Sequence, residues 1–101
     1  MTRPTLSLIE VFLAEPEREF YGLELREVTG LPNGTLYPRL AQLEAWGWLE
    51  SRREDTDSDV RAGRPPRRYY RLTQEGAVAA REQAERARRS HGLRARPAQG
   101  A

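Results

Sequence analysis

A chain of 101 residues with 38% hydrophobic and 32% charged side chains has room for one modest core, and it contains no cysteine. That excludes a second sizeable domain, a disulfide framework and a thiolate metal centre. The net charge of +2 conceals a division: residues 1–60 carry 6 Arg against 12 acids, a net of −6, and residues 61–101 carry 11 Arg against 3 acids, a net of +8.

The longest apolar run, Val11 to Ala14, is far too short to span a membrane, and the first residues show no signal-peptide pattern. A cytoplasmic protein is expected. With the polar stretches from Glu54 to Pro66 and from Ser90 onward outside the core, roughly 75 residues fold, a size at which burial is marginal and a partner chain would help.

Thr5 to Ala14 reads as a first helix, with Pro4 in its first turn and Pro16 as its stop. Leu6, Ile9 and Leu13 mark one stripe, Leu8 and Phe12 an adjacent one. Such breadth suits a central core helix, or one that also meets a second subunit through Leu8 and Phe12. Glu15 to Phe20 reads as a charged loop. Gly22 to Thr29 is a short second helix, with Leu25 and Val28 inward and Gly30 as its end. A tight turn leads to the next helix, which completes a helix-turn-helix layout.

That third helix, Asn33 to Trp46, carries Leu36, Leu40 and Leu43 on one face. Asn33 is its candidate cap and Gly47 its terminator. Thr35, Tyr37, Arg39 and Gln42 fall toward the other side and offer groups that bond phosphates and base edges. Pro38 removes one helical hydrogen bond and should bend the helix.

Trp48 to Arg53 and Tyr69 to Leu72 are strand-like, and Glu54 to Pro66 between them reads as a long hairpin loop: a wing. Arg61, Arg64, Arg67, Arg68 and Arg71 place five cations in eleven residues without an acid, which points to phosphate contact. Tyr69 and Tyr70 alternate faces, so one belongs to the core. Trp46 and Trp48 either close the core under the wing or meet a ligand at a dimer interface.

Thr73 caps a last helix in which Ala77, Ala80, Ala84 and Ala87 recur at heptad spacing, with Glu82–Arg86 and Glu85–Arg89 as supporting pairs. From Ser90 the Gly, Pro, Arg and Gln content predicts a tail without order. The carboxylate clusters Glu24/Glu27 and Asp55/Asp57/Asp59 have no histidine or cysteine beside them, and His91 stands alone. No catalytic residue, metal ligand or cofactor site is assigned.

Gly34-Thr35-Leu36-Tyr37-Pro38-Arg39-Leu40, with Leu43-Glu44 and Gly47, and then Gly63-Arg64-Pro65-Pro66-Arg67-Arg68-Tyr69-Tyr70-Arg71-Leu72-Thr73-Gln74-Glu75-Gly76, closely resemble the PadR family of bacterial transcriptional regulators. Tyr21-Gly22 with Leu25 resembles that family's signature at its second helix. The resemblance implies a mainly α fold with a small β-hairpin: a winged helix-turn-helix (1–73), a C-terminal dimerisation helix (74–90) and a disordered basic tail (91–101). It implies a homodimer binding double-stranded operator DNA, usually as a repressor. Asn33, Thr35, Tyr37, Arg39 and Gln42 would face the groove, and Arg61, Arg64, Arg67 and Arg68 would serve the wing. Leu8, Phe12, Ala77, Ala80, Ala84 and Ala87 would join the subunits. Some members release DNA when phenolic acids or flat drugs bind near the dimer interface. A small aromatic effector is therefore a candidate partner, although the last helix here has no aromatic residue. The competing reading, motivated by the acidic first half, is a winged-helix module that binds another protein and not DNA.

Overall fold

The computed structural model describes residues 1–54, 63 and 65–100. Among them the order is α1 (Arg3–Ala14), β1 (Phe20–Tyr21), α2 (Gly22–Thr29), α3 (Asn33–Ala45), β2 (Leu49–Arg53), β3 (Arg68–Leu72) and α4 (Gln74–Gly100). The strands form an antiparallel sheet ordered β1-β3-β2. The expected mainly α winged helix is the observed fold, with one strand more than a hairpin. β1 starts at the end of the Glu15 to Phe20 stretch expected to be a charged loop, and was not expected because two residues carry no readable alternation.

Leu8, Ile9 and Phe12 of α1, Leu25 of α2, and Leu36, Leu40 and Leu43 of α3 are fully buried together. Phe12 meets Phe20 edge-on, 5.3 Å between ring centroids, so β1 is tied to α1 through the core. In α2 the inward stripe is Gly22, Leu25 and Thr29. Val28 was expected inward, but it falls about a quarter-turn off that stripe and is 65% exposed.

α3 starts one residue earlier than a capping Asn33 would allow. The flanking residue is Pro32, whose carbonyl accepts from the N–H groups of Thr35 and Leu36 at 2.9 Å each, and Asn33 is already helical. The other end closes as a Schellman motif. Gly47 adopts φ +80°, its N–H donates to the Glu44 carbonyl at 3.0 Å, and the Trp48 N–H donates to Leu43 at 2.9 Å. This abrupt stop turns the chain directly into β2.

Thr73 joins sheet to last helix. Its hydroxyl donates to the Gly47 carbonyl at 2.6 Å and accepts from the Gly76 N–H at 2.9 Å, the expected cap. α4 then packs along α1, where Ala80 is fully buried. The helix continues to Gly100, past Ser90 where a tail without order was expected. Leu93, Arg94, Ala95 and Arg96 are good helix formers, and the expectation weighted Gly92 and Pro97 above them. The long helix draws the molecule out to 62 × 26 × 20 Å with a radius of gyration of 16.2 Å. A compact body of this length has about 13 Å, so part of α4 lies beyond its own core.

Candidate nucleic-acid interface

The leucine-backed face of α3 is buried, which turns its opposite side to solvent. The outermost ridge there is Gly34, Pro38, Ala41 and Ala45, all exposed. Sequence reasoning assigned no DNA contact to these residues because none carries a functional group. Their smallness is the signal: a helix with no long side chains along its crest can bring its backbone close to another surface. Pro38 sits on the solvent side of the helix.

The polar residues flank this ridge on two sides. At 100° per residue, Thr35, Arg39 and Gln42 fall on one flank and Tyr37 on the other. The four polar residues thus do not form a single row. Arg39 Nη1 donates to Gln42 Oε1 at 3.4 Å, while Arg39 Nε is buried without a partner among the described residues. Tyr37, 45% exposed, lies over the start of α2: a Cβ added at Gly22 would sit 2.3 Å from its hydroxyl oxygen. Glycine at 22 is thus the condition for Tyr37 to adopt this position.

β2 and β3 pair from Leu49↔Leu72 to Arg53↔Arg68, and the Glu54 N–H donates to Arg67 at 2.8 Å beyond them. Arg67 and Arg68 emerge on opposite faces of β3. Arg68 shares the face of Tyr70 and Leu72. Its Nη1 donates to Ser51 Oγ at 3.0 Å, and Ser51 Oγ donates to Glu44 Oε2 of α3 at 2.8 Å. Wing and helix are thereby linked by a polar relay that sequence spacing could not disclose. Arg61 and Arg64, and the acids Asp55, Asp57 and Asp59, lie outside the described residues.

On the other face of the sheet Arg52 and Arg71 meet acids and Arg67 packs on a ring. Arg67 stacks on Tyr21 with its guanidinium carbon 4.1 Å from the ring centroid, Tyr21 meets Tyr69 edge-on at 5.9 Å, and Arg52 lies 4.8 Å over Tyr69. Arg52 donates to both carboxylate oxygens of Glu19, at 2.6 and 2.9 Å, which holds the Glu19 carboxyl below its ordinary range. Arg71, expected with the phosphate-binding run, instead donates twice to Glu50. Among the described residues Arg68 and its register partner Arg53 are the wing cations on the side of α3.

Tyr70, not Tyr69, is the core tyrosine. Burial pushes its phenol above the ordinary range; Arg68 opposes this, and Glu44 and Tyr37 add to it. Trp46 and Trp48 pack together at 5.2 Å where α3 ends, with Trp46 47% exposed and Trp48 against the core.

The residues expected to join two subunits separate into two groups. Leu8 and Phe12 are 0% and 1% exposed inside this chain's own core, as is Ala80, and leave no surface for a partner. Ala77, Ala84 and Ala87 are half-buried along α4. Glu85 pairs with Arg88 at three-residue spacing, where Arg89 was the expected partner.

Among the described residues no helix is long and apolar enough to cross a membrane, and no group of side chains could hold a metal ion. No curated protein matches the chain. Several solved structures share its fold. The PcaV transcriptional regulator of Streptomyces coelicolor, solved in complex with its natural ligand, is 24% identical with a TM-score of 0.75 over 96% of this chain; the chain spans 62% of that regulator. A transcriptional regulator of Clostridium thermocellum is also 24% identical, with a TM-score of 0.69 over 91% of this chain and 87% of that one. A PadR-like transcription factor of Bacteroides fragilis is 21% identical, with a TM-score of 0.69 over 88% and 84%. The model of the transcriptional regulator PadR-like family matches residues 13–82, spanning all of the winged helix beyond α1 together with the start of α4, and the chain belongs to that family of transcriptional regulators, which are not enzymes.

Proposed function

We propose that this regulator binds double-stranded DNA sequence-specifically as a homodimer in the cytoplasm and acts as a repressor. One observation carries the reading: α3 turns a crest of small residues outward, flanked by Arg39, Gln42 and Thr35, while the adjoining wing holds Arg68 on the same side. A crest without bulk suits insertion into a major groove, where Arg and amide side chains read base edges. Arg39 and Gln42 are assigned to bases. Arg68, with Arg61, Arg64 and Arg67, is assigned to phosphates. A second copy would set two such helices about 34 Å apart and call for a palindromic site. The half-buried alanines of α4 and the length of that helix beyond the core support a partner chain. The ligand in the PcaV structure supports a search for a small-molecule effector.

Selection of bound fragments from random DNA, followed by a gel shift on the recovered sequence, tests this reading. The expected result is a palindromic consensus and binding that weakens steeply with salt. Failure to enrich any sequence, or affinity indifferent to salt, would remove it.

The protein-binding alternative has one observation in its favour. Glu10, Glu15, Glu24 and Glu27 line a cleft of about 590 Å³ between α1 and α2, beside Val11 and Val28 and with Arg18 paired to Glu15 and Glu24. That acidic surface lies away from α3 and is compatible with DNA binding. It would be the reading to take up if selection from random DNA returned nothing.

A further inference from the structure

Arg39 leaves α3 one residue past Pro38, on the flank that it shares with Thr35 and Gln42. It is half-buried, and its Nε is covered without a hydrogen-bond partner among the described residues. A guanidinium presents donors side-on, through Nε and one terminal nitrogen, or end-on, through both terminal nitrogens. With Nε covered, the side-on pair is closed and the end-on pair remains. Among the described residues no carboxylate pairs with that end, and its one hydrogen bond is to Gln42, from Nη1 to Oε1 at 3.4 Å on the exposed side of the helix.

That bond is long for its kind. It sets the direction of the guanidinium, and it leaves the second proton of Nη1 and both protons of Nη2 for another acceptor. At 100° per residue, Arg39 leaves the helix about 100° from Pro38 on the small-residue crest, whereas Gln42 leaves it about 40° away. The bond to Gln42 therefore draws the charged head toward the crest. No long side chain on that crest holds the helix off the floor of a groove, so the end-on pair is carried to the base edges. In the major groove, guanine sets two acceptors side by side, N7 and O6; adenine offers N7 beside an amino donor, thymine one carbonyl oxygen, and cytosine an amino donor. An end-on guanidinium matches guanine and no other single base.

We propose that Arg39 reads a guanine, with Nη1 and Nη2 donating to its N7 and O6, and that Gln42 is the positioning residue that aims it. The inference rests on the DNA-binding reading above and names the base that one side chain of α3 selects. Gln42 Oε1 is committed to Arg39, and its amide N–H groups stay available for the base contact already assigned to it. A phosphate oxygen would also accept from Arg39, but a phosphate contact is blind to a change in the base.

The test uses the full chain and a duplex recovered by selection. Each guanine of a half-site is replaced in turn by 7-deazaguanine, which keeps the base pair and puts a carbon where N7 accepts. At one guanine per half-site the wild type should lose about ten-fold in affinity. Exchange of that G·C pair for A·T should cost it about ten- to a hundred-fold. Arg39→Ala should bind the original and the deaza duplex alike. Gln42→Met keeps the length of the side chain without its carbonyl oxygen. It should lower the preference for G·C over A·T at that position about three- to ten-fold, with the salt slope and the melting temperature of the wild type, a combination that loss of a merely structural residue does not produce. If no guanine replacement weakens the wild type, or if Arg39→Ala still loses affinity at the same guanine, the base assignment is overturned while the DNA-binding reading stands. A lowered salt slope in Arg39→Ala, with no sensitive guanine, would give the residue to a phosphate. If Gln42→Met keeps the full preference, its positioning role is overturned. If the wild type enriches no duplex, both readings fall.

Discussion

The backbone of Gly76 passes so close to Trp48 that a Cβ at residue 76 would lie 2.0 Å from the Trp48 carbonyl oxygen. The obstacle is backbone on both sides and cannot rotate away. This contact fixes where α4 leaves the sheet, one turn after Thr73 has bonded the Gly47 carbonyl. Gly76→Ala should therefore separate the helix from the β2 turn and destabilise the fold by about 1–3 kcal/mol, the usual cost of overpacking. Urea denaturation measures it. An unchanged midpoint would mean that α4 can shift without loss.

What the sequence made legible was local. Leu36, Leu40 and Leu43 at spacings of four and three identify α3 and its buried face, because each turn of a helix repeats the same environment. Gly30 and Gly47, both at positive φ, mark the ends of α2 and α3 for the same local reason. The pairings between distant segments were not legible. β1 exists only because Phe20 and Tyr21 find Tyr70 and Tyr69, and no pattern within two residues announces a partner so far along the chain. The fate of each arginine is equally non-local. Arg71 and Arg68 look alike in a basic run, yet one faces Glu50 and the other Ser51. The helix and the wing strands were thus legible, and which arginines meet an acid was not.

That division yields a prediction. Arg39→Ala should relax preference at one base position, at a cost of about 1–3 kcal/mol for the preferred base. Arg68→Ala should weaken all sequences alike and lower the slope of affinity against salt by about one. Arg71→Ala should change neither, since its partner Glu50 already neutralises it. Affinities measured by fluorescence anisotropy across a salt series decide. A loss of slope in Arg71→Ala would show that Arg71 meets DNA despite its pairing with Glu50.

The Arg52–Glu19 pair sets a pH response. Arg52 donates hydrogen bonds to the Glu19 carboxylate and holds its pKa below the ordinary 4.5. A carboxyl with a lowered folded-state pKa binds its proton more readily when unfolded, so its contribution to stability is present above 4.5 and is lost as pH falls through the lowered value. Arg52 is exposed and Glu19 half-exposed, and solvent screens the pair, so the effect is small. Glu19→Gln should flatten the decline in stability on the acid side of 4.5 and leave the neutral value little changed. Thermal unfolding across that range checks it, and an identical acid limb in the variant would refute the assignment.

The two halves of the expected subunit interface should respond differently, because one is core and the other is not. Leu8 is fully buried beneath α4, so Leu8→Ala removes packing within a single chain and should cost about 2–5 kcal/mol of stability. Ala84 and Ala87 lie half-buried on α4, where the helix has moved past much of its own core. Their replacement by Glu leaves the winged helix intact but places charge wherever a partner helix approaches. Ala84→Glu/Ala87→Glu should therefore sediment as a monomer with an unchanged unfolding midpoint for the winged helix. Binding to a palindromic duplex should weaken, while binding to an isolated half-site stays as it was. A double variant that remains dimeric would move the interface elsewhere, to the half-buried Leu6, Val11 and Leu13 of α1.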